Sequence, residues 1–75
     1  MQTLVKHFNK ATGGSYRLSD LNDTSSGVVV TSEQIAKLVA IGYTPDEVEP
    51  ELTIYTNGGD YCFVLTGDTI RIIPT

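Results

Sequence analysis

The chain has 75 residues, which fits one domain, and its 40% hydrophobic content is that of a folded protein rather than a disordered one. A net charge of −4 with only 5 basic residues, scattered along the chain, disfavours binding to nucleic acid or to an anionic membrane surface. A single cysteine permits no intrachain disulfide, which favours a cytoplasmic protein, and we expect neither a signal peptide nor a membrane span.

The first third of the chain predicts a β-hairpin. In residues 2–8, Leu4 and Phe8 fall on one face of an extended strand. Two adjacent glycines then supply a turn, because glycine tolerates the positive φ that tight turns need. Residues 15–18 alternate polar and apolar side chains, which is typical of a second, half-buried strand.

The middle of the chain predicts one helix. Thr31 can cap its start, with Gln34 reaching back to complete a capping box. Three apolar residues form a stripe at helical spacing: Ile35, Leu38 and Val39. Gly42 is expected to end this helix in a left-handed conformation.

The segments that flank the helix are polar or short. Residues 19–27 predict a loop, because Asp, Asn and Ser side chains compete with regular backbone pairing. The valines at 28–30 fit either the end of a strand or an apolar plug leading into the helix. After the helix, residues 44–47 repeat a helix-start signal with a cap, a proline and two acids. One short helical turn is therefore expected before Pro50.

The last third predicts a meander of three strands, at residues 52–56, 61–66 and 69–73. Asn57-Gly58 is a strong hairpin signal between the first two strands, and Gly67-Asp68 turns the chain again. Six residues are expected to face the helix: Leu52, Ile54, Phe63, Leu65, Ile70 and Ile72. Seven are expected to face away: Thr53, Tyr55, Cys62, Val64, Thr69, Arg71 and Ile73.

Together these elements predict a single α+β domain over residues 1–75, with the order ββαβββ and one helix packed across one face of a small mixed or antiparallel sheet. The opening Met1-Gln2-x-x-Val5-Lys6 and the Pro45-Asp46 pair after the helix resemble the ubiquitin-like β-grasp family. Conjugated members of that family end in Gly-Gly, whereas this sequence ends Ile73-Pro74-Thr75. The resemblance therefore implies a β-grasp-like binding module rather than a conjugated modifier.

Catalytic groups are sparse. His7 and Cys62 are the only histidine and cysteine, and they would form a dyad only if their strands were neighbours. The more common alternative is a small buried cysteine and an unrelated histidine at a strand edge. A structural zinc site needs about four Cys or His ligands. We therefore expect no catalytic residue, no metal site and no cofactor.

Two motifs resemble ligand sites only in part. The loop that starts at Asp20 has calcium-loop acceptors at its first and third positions, but Ser25 and Thr31 stand at the sixth and twelfth. The Gly-rich segments at residues 12–15 and 57–60 lack the Lys-Ser/Thr pair and the helix of a phosphate loop. A solvated loop and two hairpin turns are the expected structures.

The expected outward sheet face is the main functional hint. Its aromatic, arginine and aliphatic residues are typical of interfaces, although a solvent face chosen for strand propensity fits equally well. The candidate partner-binding residues are Tyr55, Arg71, Thr53, Val64 and Ile73. An alternative interface is the acidic segment 46–51, where ordinary solvation is the simpler explanation.

Composition and motifs thus favour a small non-enzymatic protein-binding module. It would be an accessory or inhibitor protein that occludes the surface of another protein. The alternative is a structural subunit of a homo-oligomer, for instance a homodimer whose edge strands pair across a symmetry axis.

Overall fold

Three helices and five strands make up the protein in a computed structural model that describes residues 1–75. The helices are α1 (Gln2–Thr12), α2 (Leu18–Leu21) and α3 (Ser32–Ile41). The strands are β1 (Val28–Val29), β2 (Thr44–Glu49), β3 (Leu52–Thr56), β4 (Tyr61–Thr66) and β5 (Thr69–Pro74). They form one antiparallel sheet in the order β1-β5-β4-β3-β2, so the α+β class is confirmed.

The hairpin predicted for the first third is wrong, because residues 2–12 form helix α1. Its buried residues recur with the spacing of one helix face: Leu4, Val5, Phe8 and Ala11. Gly13 ends the helix with φ 73°, and its N–H donates to the carbonyl of Asn9 at 2.7 Å. The residues that resemble the β-grasp opening therefore lie at the start of a helix, not in a first strand.

The segment after α1 is not a strand either. The Asn9 side chain holds it, because Asn9 Oδ1 accepts from the N–H of Tyr16 at 2.8 Å and Asn9 Nδ2 donates to the Tyr16 carbonyl at 3.0 Å. Residues Leu18–Leu21, three of which belong to the predicted polar loop, form α2 instead. Of the three valines that fit either a strand or a plug, Val28 and Val29 form the edge strand β1 and pair with Ile70 and Thr69 of β5.

The predicted helix is confirmed as α3, including its cap. The hydroxyl of Thr31 accepts from the N–H of Gln34 at 3.2 Å, and Gln34 Oε1 accepts from the N–H of Thr31 at 2.9 Å. Gly42 follows the helix with φ 129°. Leu38 is the fully buried residue of its apolar stripe.

The helical turn predicted after Gly42 is wrong, because these residues form the edge strand β2. A helix in so short a segment would form too few hydrogen bonds to offset the free energy of nucleation. The open edge of β3, in contrast, provides backbone partners for the whole segment. Proline is tolerated there because an edge strand needs only half of its amides paired. The pairing register shifts between Glu47 and Glu49, which leaves Val48 as a bulged and exposed residue.

The three strands of the predicted meander are confirmed, and their pairing defines two sheet faces. We call the inner face the side on which the helices pack, and the outer face the opposite side. Tyr55 pairs with Phe63 and Phe63 with Ile72, so these three share the inner face. The buried core joins that face to all three helices through twelve residues: Leu4, Val5, Phe8, Ala11, Leu21, Val30, Leu38, Tyr43, Tyr55, Phe63, Ile70 and Ile72.

Candidate functional site

The outer face is the side of the sheet that lies opposite the helices and carries several apolar side chains. On β4, Cys62 and Val64 are only 1% and 6% exposed, yet neither belongs to the core on the inner face. Neighbouring strands flank them with side chains that are partly exposed. The pairing register assigns the following residues to this surface: Leu52, Ile54, Cys62, Val64, Arg71 and Ile73.

The predicted partner-binding residues divide between the two faces. Val64, Arg71 and Ile73 lie on the outer face, as expected. Tyr55 and Thr53 pair with Phe63 and Leu65 and therefore lie on the inner face, so the expectation that they face outward is wrong. Tyr55 is 7% exposed and belongs to the core.

Sequence reasoning missed two residues of the outer face, Leu52 and Ile54, which were expected to face the helix. The sequence predicts the alternation of β3 correctly but exchanges its two faces. Ile54 and Tyr55 are both large and apolar, so the pattern of this strand does not decide which one is buried. The Asn57-Gly58 signal does not resolve this either, because a two-residue turn there would pair Leu52 with Phe63, whereas Tyr55 pairs with Phe63 across a longer loop.

One row of the outer face runs across four strands and carries a charge at each end. Asp46 pairs with Ile54, Ile54 with Val64, and Val64 with Arg71. The two charged residues are three strands apart, about 14 Å between backbones. This row is therefore acidic at the β2 edge, apolar in the middle and basic at β5.

A groove opens on the inner face where the start of α3 passes over the sheet. It has a volume of about 310 Å³ and is lined by eight residues: Val30, Thr31, Ser32, Ile35, Tyr55, Leu65, Gly67 and Asp68. On the sheet, Leu65 pairs with Thr53 of β3, and Thr53 pairs with Glu47 of β2, so these three residues form one row across the strands. We call this depression the inner groove.

Tyr55 gives the inner groove a polar group. No protein group forms a hydrogen bond with its hydroxyl, and no buried polar side-chain atom lacks a partner, so the hydroxyl reaches the solvent. Burial and the nearby carboxylate of Glu47 raise the pKa of the Tyr55 phenol above 10.0. The phenol is therefore neutral at physiological pH and offers both a donor and an acceptor.

Acidic residues concentrate in the same half of the molecule. From residue 44 to residue 70 the chain contains six acids and no lysine or arginine: Asp46, Glu47, Glu49, Glu51, Asp60 and Asp68. All of these side chains are exposed. The four basic residues that precede this segment lie on or beside the helices, so the charge of the molecule is asymmetric.

The structure separates the two candidate catalytic residues. His7 lies on α1, with its Nδ1 2.8 Å from the Tyr43 hydroxyl, and α1 packs on the inner face. Cys62 faces the opposite side of the sheet, so the two side chains cannot form a dyad. Burial also raises the pKa of the Cys62 thiol above 9.0, which disfavours the nucleophilic thiolate.

The other motifs have local structural roles. Asp20 Oδ2 accepts from the N–H of Arg17 at 2.9 Å, and Asn22 Oδ1 accepts from the hydroxyl of Thr24 at 2.9 Å. No group of three or more His, Cys, Asp or Glu side chains is arranged to hold a metal ion. None of the helices has the length and apolar character that crossing a membrane requires.

Comparison with known proteins finds no matching family model, no similar curated protein and no similar solved structure.

Proposed function

We propose that this protein is a small binding module that attaches to another protein through its outer face and occludes the surface that it covers. The observation that supports this proposal is the apolar centre of that face, in which the partly exposed Leu52 and Ile54 and Arg71 surround the buried Val64. Apolar side chains around one arginine are a composition enriched at the centres of interfaces.

The rigidity of the site also supports binding. All of these residues lie on paired strands of one sheet, so their backbone positions are fixed before a partner arrives. Little conformational freedom is then lost on association, which favours affinity for a given area of contact. Arg71 adds five donors in a planar fork, suited to a carboxylate or to backbone carbonyls of the partner.

A paired comparison of variants tests the proposal. The wild-type protein is immobilised, and the proteins it retains from an extract of its native host are compared with those retained by Arg71→Glu and Lys37→Glu. Both variants change the charge equally, but Lys37 is an exposed residue of α3 on the other side of the sheet. We expect a specific partner to be retained by the wild type and by Lys37→Glu, and to be lost with Arg71→Glu.

A second pair of variants checks the apolar part of the face. Ile54→Lys should release the same partner, whereas Val39→Lys, which alters an exposed apolar residue of α3, should retain it. Circular dichroism must show that each variant is folded. Retention of the partner by both folded outer-face variants would reject the outer face as the interface.

A second candidate function is a homodimeric subunit, and the charged row on the outer face favours it. If two copies stack their outer faces about a two-fold axis parallel to the strands, between Ile54 and Val64, Asp46 of each copy lies over Arg71 of the other. Such an interface is self-complementary, and aligned stacking of sheets is a common arrangement.

Sedimentation equilibrium distinguishes the two candidates. A homodimeric subunit should form a dimer at micromolar concentrations, Arg71→Asp should weaken it, and Asp46→Arg combined with Arg71→Asp should restore it. A wild-type protein that stays monomeric at millimolar concentration would reject the homodimer and leave the binding of another protein.

A further inference from the structure

The inner groove combines an apolar wall with one acidic residue. Ile35 and Leu65 line its length and are partly buried, while Asp68 stands at the turn between β4 and β5. Glu47 does not line the groove but lies in the row that runs through Thr53 to Leu65. Glu47 and Leu65 are two strands apart, about 10 Å between backbones.

Tyr55 points to a ligand independently of these charges. It lines the groove, it is 7% exposed, and its hydroxyl has no partner within the protein. Because this hydroxyl reaches the solvent, it can donate a hydrogen bond to an incoming group or accept one from it.

We propose that the inner groove binds a long cationic side chain, arginine or lysine, presented by a protein partner. The aliphatic stem of such a side chain packs along Ile35 and Leu65, and its charged head meets Asp68 at the rim. This inference goes beyond the proposed function, because the groove lies on the opposite face of the sheet from the outer face.

Charge favours a cation over an anion in this groove. The start of α3, at Thr31 and Ser32, carries a partial positive charge from the helix dipole, about half an elementary charge. The full negative charge of Asp68 lines the groove beside it and exceeds that partial charge. A carboxylate or phosphate would face this net negative charge, whereas a guanidinium or ammonium group is attracted by it.

The size of the groove fits the same occupant. Its volume of about 310 Å³ accommodates one extended side chain with its hydration and is near the lower limit for small-molecule pockets. Long cationic side chains bury their stems against apolar surface while the charged head stays at the rim. The groove provides Ile35 and Leu65 for the stem and Asp68 for the charged head.

The test uses a small probe in place of the unidentified partner. The isotope-labelled full chain is titrated with N-acetyl-arginine N-methylamide up to tens of millimolar, and amide shifts are followed by NMR. The matched neutral probe is the corresponding citrulline compound, which has nearly the same shape but no charge. We expect saturable shifts at Ser32, Ile35 and Gly67 with the arginine probe and much smaller shifts with the citrulline probe.

Two charge-matched variants locate the binding. Asp68→Asn keeps an oxygen for the hydroxyl of Thr69, which donates to Asp68 Oδ1 at 3.3 Å, so the turn should be preserved. Asp60→Asn removes an equally exposed charge on the turn between β3 and β4. We expect Asp68→Asn to weaken binding of the arginine probe by about threefold to fivefold, as for a partly exposed ion pair, and Asp60→Asn to leave it unchanged.

Several results would overturn the proposal. These are equal binding of the citrulline probe, equal loss with Asp60→Asn, shifts confined to residues outside the groove, and no shifts at the highest probe concentration. The arginine probe tests the groove, and the outer-face variants test the proposed function. Either proposal can therefore be rejected while the other stands.

Discussion

Tyr55 on β3 lies directly opposite Phe63 on β4, and both side chains face the helices. Phe63 is fully buried against Phe8 of α1, with ring centroids 6.0 Å apart, and against Tyr43, with centroids 5.1 Å apart. Tyr55 extends this aromatic cluster to the edge of the core, where its hydroxyl meets the inner groove. The same residue therefore contributes to stability through its ring and to the groove through its hydroxyl.

Substitutions at Tyr55 should separate these two contributions. Tyr55→Ala removes a buried ring and should lower the free energy of unfolding by roughly 3 kcal/mol. Tyr55→Phe removes only a hydroxyl that has no partner in the protein and should change stability by less than about 0.5 kcal/mol. Urea unfolding measures both, and a loss below about 1 kcal/mol for Tyr55→Ala would show that the ring is not part of the core.

Two glycines can be compared to test how closely the loop before β1 packs against β5. Gly27 and Gly58 have φ values of 81° and 87°, so alanine is strained at both. At Gly27 an added Cβ would also lie 2.5 Å from Cγ2 of Thr69 on β5, whereas nothing lies within 4 Å at Gly58. Gly58→Ala should cost about 1 kcal/mol. Gly27→Ala should cost at least about 1 kcal/mol more, because the β1 end of the sheet must shift.

Thermal or urea unfolding of both glycine variants provides the comparison. Equal losses at the two positions would mean that the loop before β1 moves away from β5 at no cost.

The contact between His7 and Tyr43 should be measurable as a coupling between α1 and the chain after α3. The Tyr43 side chain is 1% exposed, and its hydroxyl lies 2.8 Å from His7 Nδ1. Tyr43→Phe should cost about 1 kcal/mol, because it removes this hydrogen bond and keeps the ring. A double-mutant cycle with His7→Ala should give a coupling of about 0.5–1.5 kcal/mol. Additive losses would show that the bond does not stabilise the fold.

Stability should fall at alkaline pH. Burial raises the pKa of the Cys62 thiol above 9.0 and the pKa values of the Tyr43 and Tyr55 phenols above 10.0. All three groups are neutral when protonated, so the folded state binds more protons than the unfolded state in this range. Their contribution is complete below the unfolded pKa values and is lost as pH rises through the folded ones.

Chemical unfolding between pH 7 and pH 11 measures this effect. The free energy of unfolding should show no decline from these groups until about pH 9 and then fall, and Tyr43→Phe combined with Tyr55→Phe should make the fall shallower. A decline of equal slope in the wild type and the double variant would assign the pH dependence to other groups.

The opening of the chain shows how a helix can be read as a strand. Leu4 and Phe8 share a face in an extended strand, but they are also four residues apart and share a face in a helix. Ala11 continues the helical spacing one turn later, but it lies outside residues 2–8, over which the strand is predicted. The competing signal was therefore present in the sequence, and a longer window favours the helix.

Residues 44–47 illustrate the opposite case. Their cap, proline and acids satisfy every local rule for the start of a helix, and yet they form β2. Nothing within the segment specifies the strand, because all of its side chains are exposed and no burial pattern is present. The partner strand β3 decides the conformation by supplying hydrogen bonds that a single helical turn cannot supply.

The sequence by itself determined α3 with its cap, the three strands of the meander and the α+β class, because helix caps and strand alternation are set by neighbours along the chain. It also identified Val64, Arg71 and Ile73 of the outer face from alternation within their strands. Only the tertiary structure decided that α1 packs on the sheet, that β2 is a strand, and that Tyr55 rather than Ile54 faces the core. Each of these depends on a partner distant in sequence, and burial against that partner outweighs the small local preferences of the chain.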